Sequence, residues 1–392
     1  MNVDLCAEYL VESVIFLVLS YIILTPVYYI WRLLSDPLHD VWPLSDTEMF
    51  SKRRTAGKIP PFYPNGWFKV CDSSSLKKGE SRNLEILGQS LVVFRGMDGK
   101  ASVLDAYCPH LGANMGVTAS VKGNCLECPF HGWQFDHTGK CTHIPYSDAS
   151  IPDQAKVRSW PVSEKNGMIH VFHHVDEVEP YWEVPDIPQI ENGEFICHGR
   201  FECYIRAHCQ EVPENGPDVA HLNVLHQPMV TWMPSSWIQH VWNASYVPGK
   251  DKDQYFSNVR VQQQLQIFGK NVPGSATDGK IRQIGPALVH MPLQLSVGNL
   301  VVIESVTPVE PLLQKVEHVV YGPKFPLYRP ICKFILRAFS GQFVRDVHIW
   351  NNKQFHHNPV LVKGDGPIAQ FRRWYSQFYC DNSKRGDQDL SW

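Results

Sequence analysis

Alternation of apolar and polar positions begins near Trp67. Short runs such as LEILG, SLVVFRG, SVLDAYC and MIHVFHH sit between Gly, Asp and Asn turns, the pattern of strands in a half-buried sheet. Residues 66–175 therefore read as an all-β domain, an antiparallel sandwich or barrel. The stretch EVEPYWEVPDIP marks a junction. After it, FICHGRFECYIRAHC, SNVRVQQQLQIFG, LQLSVGNLVVIESVTPVE and KVEHVVYG predict more strands. Two segments carry helical spacing, one around Asn215 to Leu225 and one from about Pro330 to Phe355. Residues 176–380 thus read as an α+β domain, followed by a short tail, 381–392.

The first 34 residues follow a different pattern. Val14 to Trp31 reads VIFLVLSYIILTPVYYIW, 18 residues without a charge. A helix of that length spans about 27 Å, close to the ~30 Å of a hydrocarbon core. Tyr28, Tyr29 and Trp31 crowd one end, as interfacial aromatics do. A signal peptide would carry positive charge ahead of the apolar run, and Asp4, Glu8 and Glu12 stand there instead. The expectation is an N-terminal transmembrane helix, a membrane anchor at 1–34, joined by a Pro- and charge-rich linker at 35–65. Arg32, Lys52, Arg53, Arg54 and Lys58 follow the span and no Lys or Arg precedes it. A single-pass topology with a cytosolic body follows, and an unglycosylated Asn243-Ala244-Ser245 would agree with it.

Composition narrows the function. The net charge of −3 over 392 residues leaves no basic surface for displacing counterions, so nucleic acid is not expected as a partner. Hydrophobic residues at 44% against 19% charged fit folded domains rather than disorder. Eleven cysteines form no regular framework, which favours a reducing compartment with cysteines as ligands. No G-x-G-x-x-G or P-loop is present, so a nucleotide would have to act through a separate protein.

Two short elements carry metal-ligand residues. Cys108-Pro-His110-Leu-Gly-Ala and Cys128-Pro-Phe-His131-Gly-Trp give C-x-H, 17 residues, C-x-x-H. One reading is a structural zinc with two Cys and two His. Zinc fingers usually pair like with like on each element, however, and here each element is mixed. A Rieske [2Fe–2S] cluster divides its ligands so that two thiolates hold one iron and two imidazoles the other. Mixed elements suit that division, with Cys108 and Cys128 on one iron and His110 and His131 on the other. Cys125 is spare.

The segment EVPENGPDVAHLNVLH carries a second set. Asp218 and His221 lie three apart and share a helical face, and His226 follows five residues later. Two His and one carboxylate form the facial triad of non-haem Fe(II) oxygenases, although the same residues could be an ordinary polar helix face.

The flanking residues of both sets resemble the Rieske non-haem iron oxygenases from about Trp67 to Asn352. Asn215, Asp218, His221 and His226 are similar to the family pattern N-x-x-D-x-x-H-x4-H. The resemblance implies that His221 and His226 bind iron and that Asp218, with Asn215 beside it, bridges a Rieske histidine and an iron histidine. It places the third ligand on a late helix, where Asp346 in FVRDVHIWNNK is the choice; Glu304, Glu310 and Asp365 are weaker. The anchor, the ENGPDVAHLNVLH helix and the IWNNK stretch further resemble the cholesterol 7-desaturases of the Neverland group, relatives of the bacterial ketosteroid 9α-hydroxylases.

That resemblance implies a helix-grip catalytic domain, a sterol substrate, O2, and a C7–C8 double bond as product. It also implies a homotrimer and electrons from NAD(P)H through a separate reductase or ferredoxin-type donor. The endoplasmic reticulum is the expected membrane. Two alternatives stay open: a hydroxylase of another sterol or hydrophobic ring, and a non-catalytic membrane-tethered Rieske electron carrier.

Overall fold

The computed structural model describes residues 18, 20–21, 24–28, 31, 38–42, 55–56, 59–227, 237–295 and 298–383. The expected anchor at Val14–Trp31 lies largely outside the described residues, as does the end of the tail. Its described positions are helical, and Val18, Tyr21, Leu24, Val27, Tyr28 and Trp31 are exposed. Among the described residues no helix is long and apolar enough to cross a membrane.

The first half of the chain folds into small antiparallel sheets. Gly66–Asp72 pairs with Met168–His173, and Ser81–Ile86, Gln89–Arg95 and Ala101–Asp105 pair in succession. The run LVVF is apolar throughout because its strand is buried on both faces. Leu91 and Val93 enter one core with Phe68, Val103 and Ile169, while Val92 and Phe94 enter another with Leu126 and Phe135. A separate four-stranded sheet, built from residues 120–143, carries the second ligand loop at one end.

The second half is organised on one nine-stranded sheet among the described residues. Its main strands are β1 (Leu38–Trp42), β2 (Phe195–Ile205), β3 (Ile238–Pro248), β4 (Phe256–Ile267), β5 (Thr277–Ile284), β6 (Leu288–Leu295), β7 (Gly298–Glu310) and β8 (Leu313–Pro323). Their order is β1-β2-β8-β7-β6-β5-β4-β3. β1 falls inside the stretch read as a linker, yet it pairs parallel with β2 and closes that edge of the sheet. Thr55–Ala56 pairs likewise with Phe355–His356.

Helix α1 (Val219–Leu225) begins four residues later than the sequence spacing predicts. Pro217 has no N–H to continue a helix from Asn215, and Asp218 caps Val219 onward, its carboxylate accepting the His221 N–H at 3.3 Å. Helix α2 (Tyr328–Trp350) is 23 residues long and lies across β2 and β8. It ends before the expected Phe355, where the Asn352 side chain donates to the His348 carbonyl at 2.8 Å. Helix α3 (Gly366–Tyr375) and the 3₁₀ turn after it (Ser376–Phe378) carry the basic-aromatic QFRRWYSQFY segment. Phe371, Trp374, Tyr375 and Phe378 are buried against Tyr246 and Val259 of the chain's own sheet.

The strand period of two gives β8 two different faces. Val316, His318 and Val320 are turned toward α2, with Leu336 and Phe343 opposite. Val319 and Tyr321 pack instead with Met168 of the first domain. On that same side Lys69, 1% exposed, joins Asp72 at 2.9 Å and Glu317 at 3.1 Å, while Arg200 also reaches Asp72. Burial alone would raise the Asp72 carboxyl, but Lys69 and Arg200 outweigh it and hold it below the usual range.

Candidate metal centres

The two Cys-His elements form matched loops. The Cys108 N–H donates to the Ala113 carbonyl at 2.9 Å, and the Gly112 N–H returns to the Cys108 carbonyl at 2.9 Å. In the second loop Cys128 donates to Trp133 at 2.8 Å, and Gly132 returns to Cys128 at 3.0 Å. Gly112 and Gly132 have φ of +75° and +73°, a backbone state that any Cβ would strain. Both glycines follow their cysteine by four residues, so the loops turn alike and converge.

Cys108 and Cys128 are buried to 3% and 2% exposure, while His110 and His131 sit half-buried above them. The two imidazole centroids lie 4.6 Å apart. His110 stacks on Trp133, whose Nε1 donates to the Tyr146 hydroxyl at 2.7 Å. Burial pushes the Cys108 thiol up to about 12, and the neighbouring Cys128 acts in the same direction. A thiol raised this far becomes a thiolate at neutral pH only when a cation is bound to it. His110 Nδ1 is buried without a hydrogen-bond partner, as a ligand nitrogen would be.

A single tetrahedral metal would draw all four donors within about 4 Å of one another. Among the described residues the compact donor groups, with every ligand atom within 4.8 Å, are elsewhere. A buried thiol pair and a separate, half-buried imidazole pair fit a two-iron cluster better than one zinc. Cys125 is apart from the set, its Sγ 3.6 Å from the Thr142 hydroxyl.

His221, His226 and Asp346 form one of those compact groups. His226 Nε2 lies 3.2 Å from Asp346 Oδ2, and both residues are buried. The two imidazole rings are 5.1 Å apart and nearly perpendicular. His221 Nδ1 contacts the Asp218 carbonyl, which leaves its Nε2 for a metal. His226 Nδ1 faces Gln342 Oε1 at 3.0 Å, which leaves its Nε2 free in the same way. Arg345 donates to the Leu225 carbonyl at 3.0 Å, tying α2 to the end of α1. Two imidazoles and one carboxylate on one side of a site suit Fe(II) with open positions.

Asp218 is the cap of α1, with Oδ2 3.8 Å from His221 Nδ1 and its side chain 32% exposed. Asn215 ends the 3₁₀ turn Pro213–Asn215 just before it. Glu214 in that turn pairs with Arg372 of α3 at 2.7 Å, so α3 braces the approach to α1. Of the weaker carboxylates, Glu304 is held by His318 at 2.7 Å, and Asp365 caps its own turn by accepting the Val362 N–H at 2.9 Å.

The other compact trio, His174, Asp176 and Cys380, is closed by its own hydrogen bonds. Cys380 Sγ and Asn382 reach Asp176 at 3.4 and 2.7 Å, and the Asp176 N–H reaches His174 Nδ1 at 3.2 Å.

Two features escape sequence reasoning. Gln342 shows only as a polar residue one turn before Asp346. The Glu304–His318 pair is more conspicuous, because His318 interrupts the apolar run VEHVVYG and is fully buried. Its Nδ1 has no partner, and a buried unsatisfied group costs about 1–3 kcal/mol.

Residues 66–161 match the Rieske [2Fe-2S] domain family, and residues 171–379 match the 3-Ketosteroid 9alpha-hydroxylase C-terminal domain family. The chain is 44% identical over 347 residues to Cholesterol 7-desaturase nvd of Xenopus laevis, covering 85% of this chain and 75% of that protein. It is 40% identical over 353 residues to Cholesterol 7-desaturase of Caenorhabditis elegans, covering 86% and 82%. It is 31% identical to a probable 3-ketosteroid-9-alpha-monooxygenase oxygenase component of Rhodococcus rhodochrous, covering 86% and 85%. Among solved structures, dicamba monooxygenase bound to dicamba matches with a TM-score of 0.61 at 17% identity, over 81% of this chain and 98% of that one. That likeness bears on the fold: a β-rich Rieske domain followed by an α+β domain. Matched cysteine-histidine loops, a His-His-Asp site and relatives at this identity lead to one assignment: the chain belongs to the Rieske oxygenase family of the cholesterol 7-desaturases.

Proposed function

We propose that this chain is a cholesterol 7-desaturase. The reaction takes cholesterol, O2, two electrons and two protons to 7-dehydrocholesterol and two waters, removing one hydrogen each from C7 and C8. The observation that carries the reading is the His221–His226–Asp346 site, lying in a chain 40–44% identical to proteins of that name. Cys108 and Cys128 would hold one iron of the Rieske cluster, and His110 and His131 the other. His221, His226 and Asp346 would hold the mononuclear iron. When bound, these metals supply the electron storage and O2 chemistry that no side chain provides.

The protein's part is positioning and water exclusion. Gln342 and the Asp218 carbonyl fix the two imidazoles. Asp218 remains open enough on its carboxylate side to meet a Rieske histidine of a neighbouring subunit in a homotrimer. We place the domains at 66–175 and 176–380, with 35–65 leading from the anchor. A single-pass helix at 1–34 would hold the cytosolic body against the endoplasmic reticulum, where sterols dissolve. α2 gripping the curved sheet would form the substrate cavity. NAD(P)H would act through a separate reductase.

The test is product analysis of the full-length chain in insect or mammalian cells fed labelled cholesterol. A sterol two hydrogens lighter, matching 7-dehydrocholesterol and absent with His221→Ala, is the expected result. A hydroxylated sterol, or no conversion with both metal centres loaded, would replace the desaturase reading with that of a hydroxylase of another ring substrate.

A further inference from the structure

Between Glu317 and Asp346 the chain carries Lys324, Arg329, Lys333, Arg337 and Arg345 and no Asp or Glu. Phe325, Leu327 and Phe334 stand in the same stretch, 59%, 60% and 67% exposed. A single exposed apolar side chain needs no explanation. Three large ones within ten residues, interleaved with cations, form a patch.

The backbone holds this patch outward. Lys324–Leu327 is the turn between β8 and α2. The Tyr328 N–H donates to the Phe325 carbonyl at 3.0 Å, and the Arg329 N–H to the Pro326 carbonyl at 3.1 Å. Pro326 and Pro330 stiffen the turn further. Phe334 and Arg337 lie three apart on the exposed face of α2, which Ala338 and Gly341 continue. Asp346 is the one acid of α2 and is buried. Glu194 lies beside the turn, its carbonyl accepting the Lys324 N–H at 3.1 Å. Even against Glu194 the cations are in excess.

Strand register shows where this end of the sheet lies relative to the start of the chain. Leu38, the first residue of β1, pairs with Gly199 of β2, and Gly199 pairs with Val320 of β8. His198 Nε2 contacts the Pro323 carbonyl at 3.0 Å. The chain arriving from the expected anchor therefore enters the sheet at the end where β8 leaves for the patch, two strand spacings or about 10 Å away. Trp31 precedes Leu38 by seven residues, a reach of at most about 25 Å. A membrane holding the anchor is within reach of the patch.

We propose that the turn Lys324–Leu327 and the exposed face of α2 at Phe334 and Arg337 rest on an anionic bilayer surface. Phe325, Leu327 and Phe334 enter the headgroup layer, and Lys324, Arg329 and Arg337 meet lipid phosphates and carboxylates. The proposal rests on the membrane reading above and deepens it: the anchor brings the body to the membrane, and the patch sets which side faces it. Apolar side chains among Lys and Arg suit that boundary, where rings find apolar surface and cations find anionic lipid. A second copy placed symmetrically on the patch would set these cations against their own kind.

The experiment puts the photoreactive residue benzoylphenylalanine in place of Leu327, Phe334 or Phe268 in the full-length chain. Each protein is reconstituted in phosphatidylcholine vesicles, with or without phosphatidylserine, containing a tritiated phospholipid. Phe268 is exposed too but follows β4, near the opposite edge of the sheet. Lipid should label positions 327 and 334 and leave 268 unlabelled. Phosphatidylserine should raise that labelling, and Arg329→Gln with Arg337→Gln should lower it by up to roughly 5-fold per charge. Cluster absorption serves as the check that each variant is folded. Equal labelling at 268 and 334 would overturn the proposal. So would no labelling at 327 and 334 in a chain that resists carbonate extraction. A changed oligomeric state in the double Arg variant would also overturn it, marking this face as a contact between copies. Release of the chain by carbonate, with 327 and 334 labelled beforehand, would overturn the transmembrane anchor and uphold the lipid-facing patch.

Discussion

Gln342 Oε1 lies 3.0 Å from His226 Nδ1, one helical turn before Asp346 on the same face of α2. α2 thus supplies both the carboxylate of the candidate iron site and the group that orients one of its imidazoles. A carbonyl oxygen on Nδ1 demands the Nδ1–H tautomer and leaves the Nε2 lone pair directed at Asp346. Gln342→Leu should lower iron affinity about 10- to 100-fold and leave the Rieske absorption unchanged. Iron retention after dialysis against a weak chelator measures it; equal retention by both proteins would show that Gln342 does not set the ligand.

The spare cysteine gives a clean contrast at the other centre. Cys108 is buried against Cys128, while Cys125 sits on a neighbouring strand near Thr142. Cys108→Ser should abolish the visible absorption of the cluster, and Cys125→Ser should retain it in full. Rieske-type absorption and electron paramagnetic resonance of the reduced protein read both variants. Loss in the Cys125 variant as well would reopen the ligand set.

The parts of this arrangement most legible in the sequence were those with dense local signals. Four ligand residues lie within 24 positions of each other, and two histidines lie beside their cap. β8 and the first domain's strands, as short apolar runs bounded by turn residues, were clear enough to read. By contrast β3 and β5 are rich in polar residues on their exposed faces, and sequence periodicity did not mark them. β1 was hidden because a five-residue edge strand depends on β2 to exist. Gln342 and His318 acquire meaning only when α2 lies over β8, a long-range relation with no sequence spacing to signal it. The basic-aromatic segment QFRRWYSQFY has too short an apolar pattern to show on its own what it packs against. It is buried because Phe371, Trp374 and Tyr375 of α3, with Phe378 in the turn after it, pack together against the sheet.

Arg372 makes α3 part of the site's support. Its guanidinium pairs with both oxygens of Glu214, at 2.7 and 3.0 Å, and its Nη1 donates to the His356 carbonyl at 2.8 Å. Glu214 is four residues before Asp218. Breaking a partly buried, two-pronged pair leaves a carboxylate without its partner, a loss of about 3 kcal/mol or more. Arg372→Met should lower the unfolding midpoint and loosen iron, with the cluster in the other domain retained. Thermal unfolding followed at the cluster absorption and by tryptophan fluorescence separates the two. Simultaneous loss of cluster and fold would argue that α3 braces the whole chain rather than the iron site.

The seam between the two domains makes stability depend on pH. His170 and His290 are both buried beside it, and burial lowers them to about 3 and about 4. Lys69 opposes a proton on His170, and Arg282 opposes one on His290. In the unfolded chain both titrate near 6.5. Their stabilising contribution is complete above that value. As pH falls below it the unfolded chain takes up protons that the folded chain refuses at these two sites, and at others such as His173, which burial lowers to about 4, so stability declines. The loss continues until pH reaches the folded values near 4 and 3. At about 1.4 kcal/mol per proton per pH unit, the two together give a slope of roughly 2–3 kcal/mol per unit between about pH 5.5 and 4. Urea unfolding at pH 7.5, 5.5 and 4.5 should show the midpoint falling across this window. His290→Asn should remove one proton's share of the slope, up to about 1.4 kcal/mol per pH unit, whatever its effect on absolute stability. A slope unchanged in that variant would assign the pH dependence to metal release or to carboxylates such as Asp72, whose contribution is lost only as pH falls below about 4.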